Sequence, residues 1–178
     1  MLKLTIPSVE LFDEALGEFV YTKEQTIVLE HSLVSISKWE SIFMIPFISK
    51  VERTWLETVE YIKCMTITQN VDPKVYNYLT SKNIKDIEDY IDHPMTATTV
   101  PKGKGGSREI VTAELIYYWM VSFNIPFECQ KWHLNRLLML INVCSVKNQA
   151  PEKKSKAEIM NRNHSLNEAR RAKYNTKG

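Results

Sequence analysis

The sequence has few cysteines, few glycines and no long apolar run, and each shortage excludes a class of protein. Its three cysteines, Cys64, Cys129 and Cys144, stand in apolar contexts without paired spacing. This small, odd number argues against a disulfide framework and favours a reducing compartment. Five glycines and seven prolines in 178 residues are too few for a low-complexity chain.

Signals for membranes and secretion are also missing. Charged residues interrupt every apolar stretch, so none reaches the roughly 20 residues of a membrane-spanning helix. The opening MLKLTIPSVELFDE has no apolar core of signal-peptide length and soon reaches acidic residues. We therefore expect a cytoplasmic protein that does not enter a membrane.

Recognisable motifs for catalysis, cofactors or metals are likewise lacking. The four histidines are accompanied by no GxSxG elbow, HExxH pair or close acidic cluster. Cys129 and His133, with Cys144 as a distant third ligand, could hold a metal ion, but their apolar surroundings favour a place in the core. The glycine-rich stretch 101–106 has Gly-Gly where a P-loop needs lysine before Ser107. We expect a flexible surface connection there, and no enzyme activity, cofactor or metal.

Basic residues are concentrated at the C-terminal end. From Pro151 onward the chain has eight Lys/Arg and three Asp/Glu, a net charge of +5, whereas the remainder has fifteen against eighteen, a net charge of −3. Apolar residues are sparse here, so this segment is predicted to be disordered or a solvated helix that folds on a partner. Seven cations are candidate contacts for an acidic partner: Lys153, Lys154, Lys156, Arg162, Arg170, Arg171 and Lys173. They would also attract nucleic-acid phosphates, but no base-reading module accompanies them.

Periodicity predicts an α+β fold that is mostly helical. Leu2, Leu4 and Ile6 alternate with polar residues, and β-rich runs follow at 19–21 and 26–29. These runs predict a small antiparallel sheet within residues 1–33, packed on a helical domain of residues 34–150. Residues 151–178 form the basic C-terminal extension.

Helix starts in the middle region are predicted from capping patterns. Ser37 with Glu40 and Thr54 with Glu57 match the capping box, and Asp72-Pro73 combines an N-cap acceptor with proline at the first helical position. In the helix predicted from Ser37, Trp39, Ile42 and Phe43 share the inward face, and the isoleucines of 84–91 mark the apolar side of another short helix.

The densest apolar stretch covers residues 112–148 and holds two of the four tryptophans. Its apolar positions surround most of a helical circumference, which is typical of a buried helix. We predict an antiparallel helical hairpin in the core, turned at Asn124-Ile125-Pro126. Because Pro126 lacks an amide hydrogen and disfavours helix at the preceding residue, the first helix should end near Phe123.

Four large aromatic residues exceed what one short helix can bury: Trp39, Phe43, Phe47 and Trp55. We expect most of them in the core, and any that is exposed would mark a protein-binding patch. These four are the candidate protein-binding residues.

Several stretches resemble one protein family: LEHSLVSISKWESIF (29–43), YIDHPMTATT (90–99), SREIVTAELIYYWMVSFNIPFECQKWHLNRLLMLI (107–141) and the closing NEARRAKYNTKG. With them the chain resembles, over nearly its full length, tail assembly chaperones of long-tailed, non-contractile bacteriophages. The resemblance implies a non-enzymatic protein of the host cytoplasm that binds the tape-measure protein and helps tail-tube subunits polymerise around it. It implies departure before the virion is finished, and self-association is compatible with it. The alternatives are a structural tail or connector component that stays in the virion, and a nucleic-acid-associated phage protein acting through the basic extension.

Overall fold

The computed structural model describes residues 1–13, 17–50, 52–100, 109–148 and 156–175. Within these residues the chain forms four β-strands, six α-helices and two short 3-10 helices. This architecture confirms the predicted α+β class, with a small N-terminal β-structure and a mostly helical remainder. The chain divides into two structural units, Met1–Val146 and Lys147–Gly178. The glycine-rich stretch 101–106 and the cations Lys153 and Lys154 lie outside the described residues.

The N-terminal strands form two antiparallel pairs, where a single sheet was predicted. Strand β1 (Leu2–Ile6) pairs with β4 (Gln25–Leu29), and the β-hairpin of β2 (Val9–Asp13) and β3 (Glu18–Thr22) is inserted between them in the chain. In the outer pair, alternate side chains are buried, as the period of two requires: Leu4, Ile6, Ile27 and Leu29. Gly17 before β3 has φ +66°, a left-handed conformation that glycine adopts without steric cost.

The helices of the first unit follow the strands. They are α1 (Leu33–Phe43), α2 (Trp55–Met65), a 3-10 helix (Pro73–Tyr78), α3 (Ser81–Asp92), α4 (Ala113–Ser122), a second 3-10 helix (Phe127–Lys131) and α5 (Leu134–Asn148). The predicted starts at Thr54 and Asp72 are confirmed, because each side chain accepts a backbone hydrogen bond from the first turn. The first helix of the predicted hairpin ends at Ser122, as expected from Pro126.

Helix α1 begins five residues earlier than the capping pattern predicted. Its N-cap is Ser32, whose side chain accepts from the Ser35 amide while Ser35 Oγ accepts from the Ser32 amide. Ser37 is therefore inside the helix. Glu40 has a different role: its carboxylate accepts from the amides of Phe47 at 2.7 Å and Ala113 at 2.8 Å. This buried side chain joins the end of α1 to the start of α4.

The two helices of the predicted hairpin each bury one face, where burial all round was expected. On α4 the buried residues are Ala113, Ile116 and Met120, while Tyr118 and Val121 are exposed. On α5 the buried residues are Leu134, Leu137 and Ile141. Helix α4 packs on α1, which supplies part of the apolar surface that α4 needs.

A short segment at the end of β4 connects the strands to distant helices. The Glu30 amide donates to the Met65 carbonyl at 2.9 Å, and the His31 carbonyl accepts from the Leu134 amide at 2.7 Å. Residues 30–32 are all buried although all three are polar. Their backbone therefore brings the C-terminal end of α2 and the N-terminal end of α5 to one place.

The second unit contains helix α6 (Lys156–Tyr174). Every α6 side chain whose exposure is described is exposed, and its sequence is strongly polar. Of the two forms predicted for the basic extension, residues 156–174 have the solvated helix.

Candidate functional site

The four candidate aromatic residues separate into core and surface. Trp39 is fully buried, and its Nε1 donates to the Glu57 carbonyl at 2.9 Å. Phe47 is also buried, with its ring centroid 5.1 Å from that of Trp39. Phe43 is half-buried against Trp39, whereas 58% of Trp55 is exposed. Trp39 and Phe47 therefore hold the core together, and Trp55 is the candidate that can contact a partner directly.

Trp55 is one of several exposed large apolar side chains that are close together in the chain, and we call this set the α1–α2 surface. It consists of six large side chains within residues 42–56: Ile42, Met44, Ile45, Ile48, Trp55 and Leu56. Met44 is 81% exposed and Leu56 67%. Ile42, predicted to face inward, is exposed because α1 turns Trp39 and Glu40 toward the interior. Exposed apolar clusters of this kind are typical of protein-binding sites.

Polar contacts fix the chain that presents this surface. The Arg53 guanidinium donates to the Phe47 carbonyl at 2.7 Å and lies 3.9 Å from the centroid of the Phe47 ring. Lys50 forms an ion pair with Glu57, which also accepts from the Thr54 amide at 2.8 Å. The hydrogen bond from Lys50, together with the backbone bond, lowers the pKa of the Glu57 carboxyl. The connection between α1 and α2 is thus tied at several points, although its side chains Met44, Ile45 and Ile48 are exposed.

A cleft of about 580 Å³ lies beside the α1–α2 surface. Its walls come from the α1–α2 connection, α2, α3 and the first turns of α5, and His31 lines it as well. Ile48 contributes both to the cleft wall and to the α1–α2 surface. The side-chain amide of Asn135 donates to the carbonyl oxygens of Ile91 at 2.9 Å and His93 at 3.0 Å. These bonds hold the end of α3 against the start of α5 and so fix two of the cleft walls.

The buried histidines are hydrogen-bonded structural groups in this arrangement. His31 Nδ1 lies 2.5 Å from Tyr61 Oη, and burial lowers the His31 pKa to about 3. His133 Nε2 faces the Tyr90 carbonyl oxygen at 3.0 Å, while Nδ1 accepts from the Asn135 amide. A carbonyl oxygen can only accept, so the proton of His133 is on Nε2 and the ring is neutral. Burial also lowers the His133 pKa.

Ser35 lies near the hydrogen-bonded His31 and Tyr61, with its Oγ 3.4 Å from Tyr61 Oη. Its hydroxyl donates to the Ser32 carbonyl at 2.7 Å and accepts from the Ser32 amide, so both roles are used in the helix cap. Burial raises the pKa of the Tyr61 phenol. Because the His31 pKa is about 3, its imidazole is a weak base at neutral pH and is poorly suited to accept a proton from Ser35.

The structure places the two main residues of the possible metal site, Cys129 and His133, on different elements. Cys129 is in the second 3-10 helix, whereas His133 precedes α5 and is bonded to Tyr90. Across the described ranges, no group of three or more His, Cys, Asp or Glu side chains is placed to hold a metal ion. Burial raises the pKa of the Cys129 thiol, which opposes formation of the thiolate that a metal needs.

The described cations of the basic extension lie along one solvated helix. Lys156, Arg162, Arg170, Arg171 and Lys173 are all on α6 and exposed. Three of them lie within its last five residues, where positive charge complements the helix dipole. The helix can therefore present this charge to solvent or to an acidic partner.

Trp55 was a candidate protein-binding residue from the sequence, whereas most of the α1–α2 surface and all of the cleft were not predicted. The missed signal was the apolar stripe of α1. Leu33 and Ile36, which lay outside the predicted helix, are buried on the same side as Trp39, and this side leaves Ile42 exposed. Within the part of the chain that the structure describes, no helix is both long and apolar enough to cross a bilayer. The chain matches no protein-family model, no curated protein and no solved structure.

Proposed function

We propose that this protein is a non-enzymatic tail assembly chaperone of a long-tailed bacteriophage. In this proposal it binds the tape-measure protein in the host cytoplasm, keeps it soluble and assists tail-tube polymerisation around it, then leaves before the virion is complete. Two observations support the proposal. The sequence resembles that family, and the α1–α2 surface exposes six large apolar side chains on α1, on α2 and on the connection between them.

Exposure of the α1–α2 surface to water has a free-energy cost. Full burial of a large apolar side chain is worth roughly 1.5–3 kcal/mol. The six side chains are 37–81% exposed, so each forgoes part of that amount in water and a partner that covers them gains it. Lys50, Arg53 and Glu57 already tie the connection between α1 and α2. Because little further ordering is needed on binding, more of the gain is retained as affinity. An amphipathic helix of the partner suits such a surface, as in helix-in-groove recognition.

The direct test is co-expression with the candidate tape-measure protein. We expect the cargo to stay in the soluble fraction and to co-purify with this protein. If the cargo precipitates equally with and without it, and no complex can be isolated, the proposal is wrong. Mass spectrometry of purified virions separates a chaperone, which should be scarce, from a structural tail component, which would be present in fixed copy number.

Paired variants test where the cargo binds. Trp55→Ser with Leu56→Ser removes two exposed side chains from the α1–α2 surface, and Tyr118→Ser with Val121→Ser removes two of similar exposure from α4. We expect only the first pair to lose the cargo while both proteins remain folded by circular dichroism. Equal loss in the two variants would contradict the placement of the site.

The exposed cations of α6 favour a second candidate function, binding of nucleic acid. A protein that neutralises several phosphates binds less tightly as salt rises, with a slope set by the number of contacts. Electrophoretic mobility shifts at physiological salt, with the full chain and with Arg170, Arg171 and Lys173 changed to Ala, test this alternative. The absence of a shift that depends on these cations would remove it.

A further inference from the structure

We infer that the cleft between α2, α3 and α5 binds a basic amphipathic helix of the partner chain. The inference deepens the proposed function and rests on it, since it states which chemistry of a protein partner the cleft selects. The occupant would insert large apolar side chains between the helices and place a lysine or arginine against the rim formed by α3.

The isoleucines of α3 give the cleft an apolar wall. Ile84, Ile87 and Ile91 recur at intervals of three and four residues, so they lie on one face, and all three line the cleft. Ile84 and Ile91 are only partly buried, and Leu138 of α5, which lines the cleft with them, is also partly buried. At about 580 Å³ the cleft is within the roughly 300–1,000 Å³ of pockets that enclose whole ligands. It can therefore take more than one apolar side chain.

Four charged side chains line the cleft, and they differ in whether a partner is already bound to them. Lys50 is paired with Glu57, and Arg53 donates to the Phe47 carbonyl. By contrast, the carboxylates of Glu88 and Asp92, which also line the cleft and are exposed, have no hydrogen-bond or ion-pair partner among the residues described. The Phe47 carbonyl is neutral, so Arg53 keeps its positive charge, and its Nε has no hydrogen-bond partner among the described residues. The two carboxylates outnumber this one guanidinium, so the charge left uncompensated in the cleft is net negative and its complement is a cation.

The two carboxylates are four residues apart on α3, which places their Cβ atoms about 5–6 Å from each other. One lysine or arginine can then interact with both. His31 also lines the cleft, but its Nδ1 faces Tyr61, and no hydrogen bond connects it to either carboxylate within the described ranges. The carboxylates are thus available to the occupant.

We assign a helical segment as the occupant for two reasons. The cleft walls are helices, against which another helix can pack, and Ile48 belongs both to the cleft wall and to the α1–α2 surface, so the two regions are continuous there. A helix lying along both would bury its apolar stripe on Ile84, Ile91 and the α1–α2 side chains. Its basic residues would then meet Glu88 and Asp92 at the rim. Continuity of the two regions gives an elongated partner a longer contact than either region alone.

The test uses two labelled 18-residue amphipathic peptides with identical leucine positions, one with lysine and one with glutamate on the polar face. Their binding to the full chain is measured by fluorescence anisotropy at physiological salt. We expect the wild-type protein to bind the lysine peptide more tightly. The double variant E88K/D92K should weaken binding of the lysine peptide about fivefold, which is about 1 kcal/mol in total and is the size expected for the loss of two exposed ion pairs. The same variant should strengthen binding of the glutamate peptide.

A matched double variant, E24K/D89K, controls for net charge. It makes the same charge change at exposed carboxylates that do not line the cleft. Asp92 is the last residue of α3, where a cation complements the helix dipole, so E88K/D92K should remain folded. If the two double variants weaken the lysine peptide equally, or neither does, the cleft assignment is wrong. If the peptide test contradicts the cleft assignment but this protein still keeps the tape-measure protein soluble, the proposed function remains intact.

Discussion

Acidification from pH 7 to pH 5 should destabilise the first structural unit by about 2 kcal/mol, because His31 must remain neutral in the fold. The His31 side chain is 2% exposed, and its Nδ1 is bonded to Tyr61. Burial is the main reason that its pKa falls to about 3, and repulsion from His133 and Arg53 adds to the effect. In the unfolded chain the same imidazole should have its ordinary pKa near 6.5.

The magnitude follows from the difference between these two pKa values. Stability is highest above pH 6.5, where neither state binds the proton, and falls as the pH drops toward 3, because only the unfolded state binds it. The maximal slope is about 1.36 kcal/mol per pH unit. At pH 7 the unfolded imidazole is mostly neutral and at pH 5 it is almost fully protonated, which gives about 2 kcal/mol.

The shifts of His133 and Glu57 act in the same direction or outside this pH range. The lowered pKa of His133 adds to the destabilisation. Glu57, whose pKa is lowered from 4.5, contributes stability that is present above that value and lost as the pH falls further. Between pH 7 and pH 5 the buried histidines should therefore dominate.

Urea denaturation at pH 7, 6 and 5, followed by tryptophan fluorescence and far-UV circular dichroism, measures the slope. His31→Gln removes the titrating ring but keeps a side chain that can hydrogen-bond to Tyr61, so it should flatten the dependence on pH. His164→Gln changes a histidine outside the first structural unit, so the stability of that unit should depend on pH as in the wild type. A His31→Gln variant that loses stability with acid as steeply as the wild type would refute the reasoning.

Three substitutions test the fold by urea denaturation at pH 7. Glu40→Ala should cost about 3 kcal/mol, because the amides of Phe47 and Ala113 lose their buried acceptor; a cost below about 1 kcal/mol would show that water replaces the carboxylate. Leu137→Ala should cost about 3 kcal/mol by opening a cavity in the core, and a near-neutral result would place this side chain outside it. Thr54→Ala should cost about 1 kcal/mol through loss of the α2 cap, and no measurable change would exclude the cap as a source of stability.

The features predicted correctly from the sequence depend on residues close together in the chain. Thr54 and Glu57 satisfy each other's backbone amides, so three residues of spacing were enough to place the start of α2. Pro126 fixed the end of α4 for an equally local reason. The buried alternation of Leu4 and Ile6 likewise depends only on the strand period.

The features missed depend on contacts between distant residues. Glu40 was assigned to a local cap, but its carboxylate bonds to the amide of Ala113, 73 residues away. The cleft requires α2, α3 and α5 to converge, and no pattern within any one of them indicates that. The inserted hairpin was missed because its first strand, Val9–Asp13, was not recognised and its partner was assigned to the sheet of β1 and β4.

The buried backbone junction at Glu30 and His31 has a kinetic consequence. Its bond to Met65 closes a loop of about 35 residues, whereas its bond to Leu134 closes one of about 103. The longer closure costs about 1 kcal/mol more in chain entropy, which favours earlier formation of the shorter loop. During synthesis, the long closure must also wait until residue 134 has left the ribosome. We therefore expect the nascent chain to assemble β1, β4 and α2 first and to dock α5 last, so that products truncated before α5 lack a completed interior.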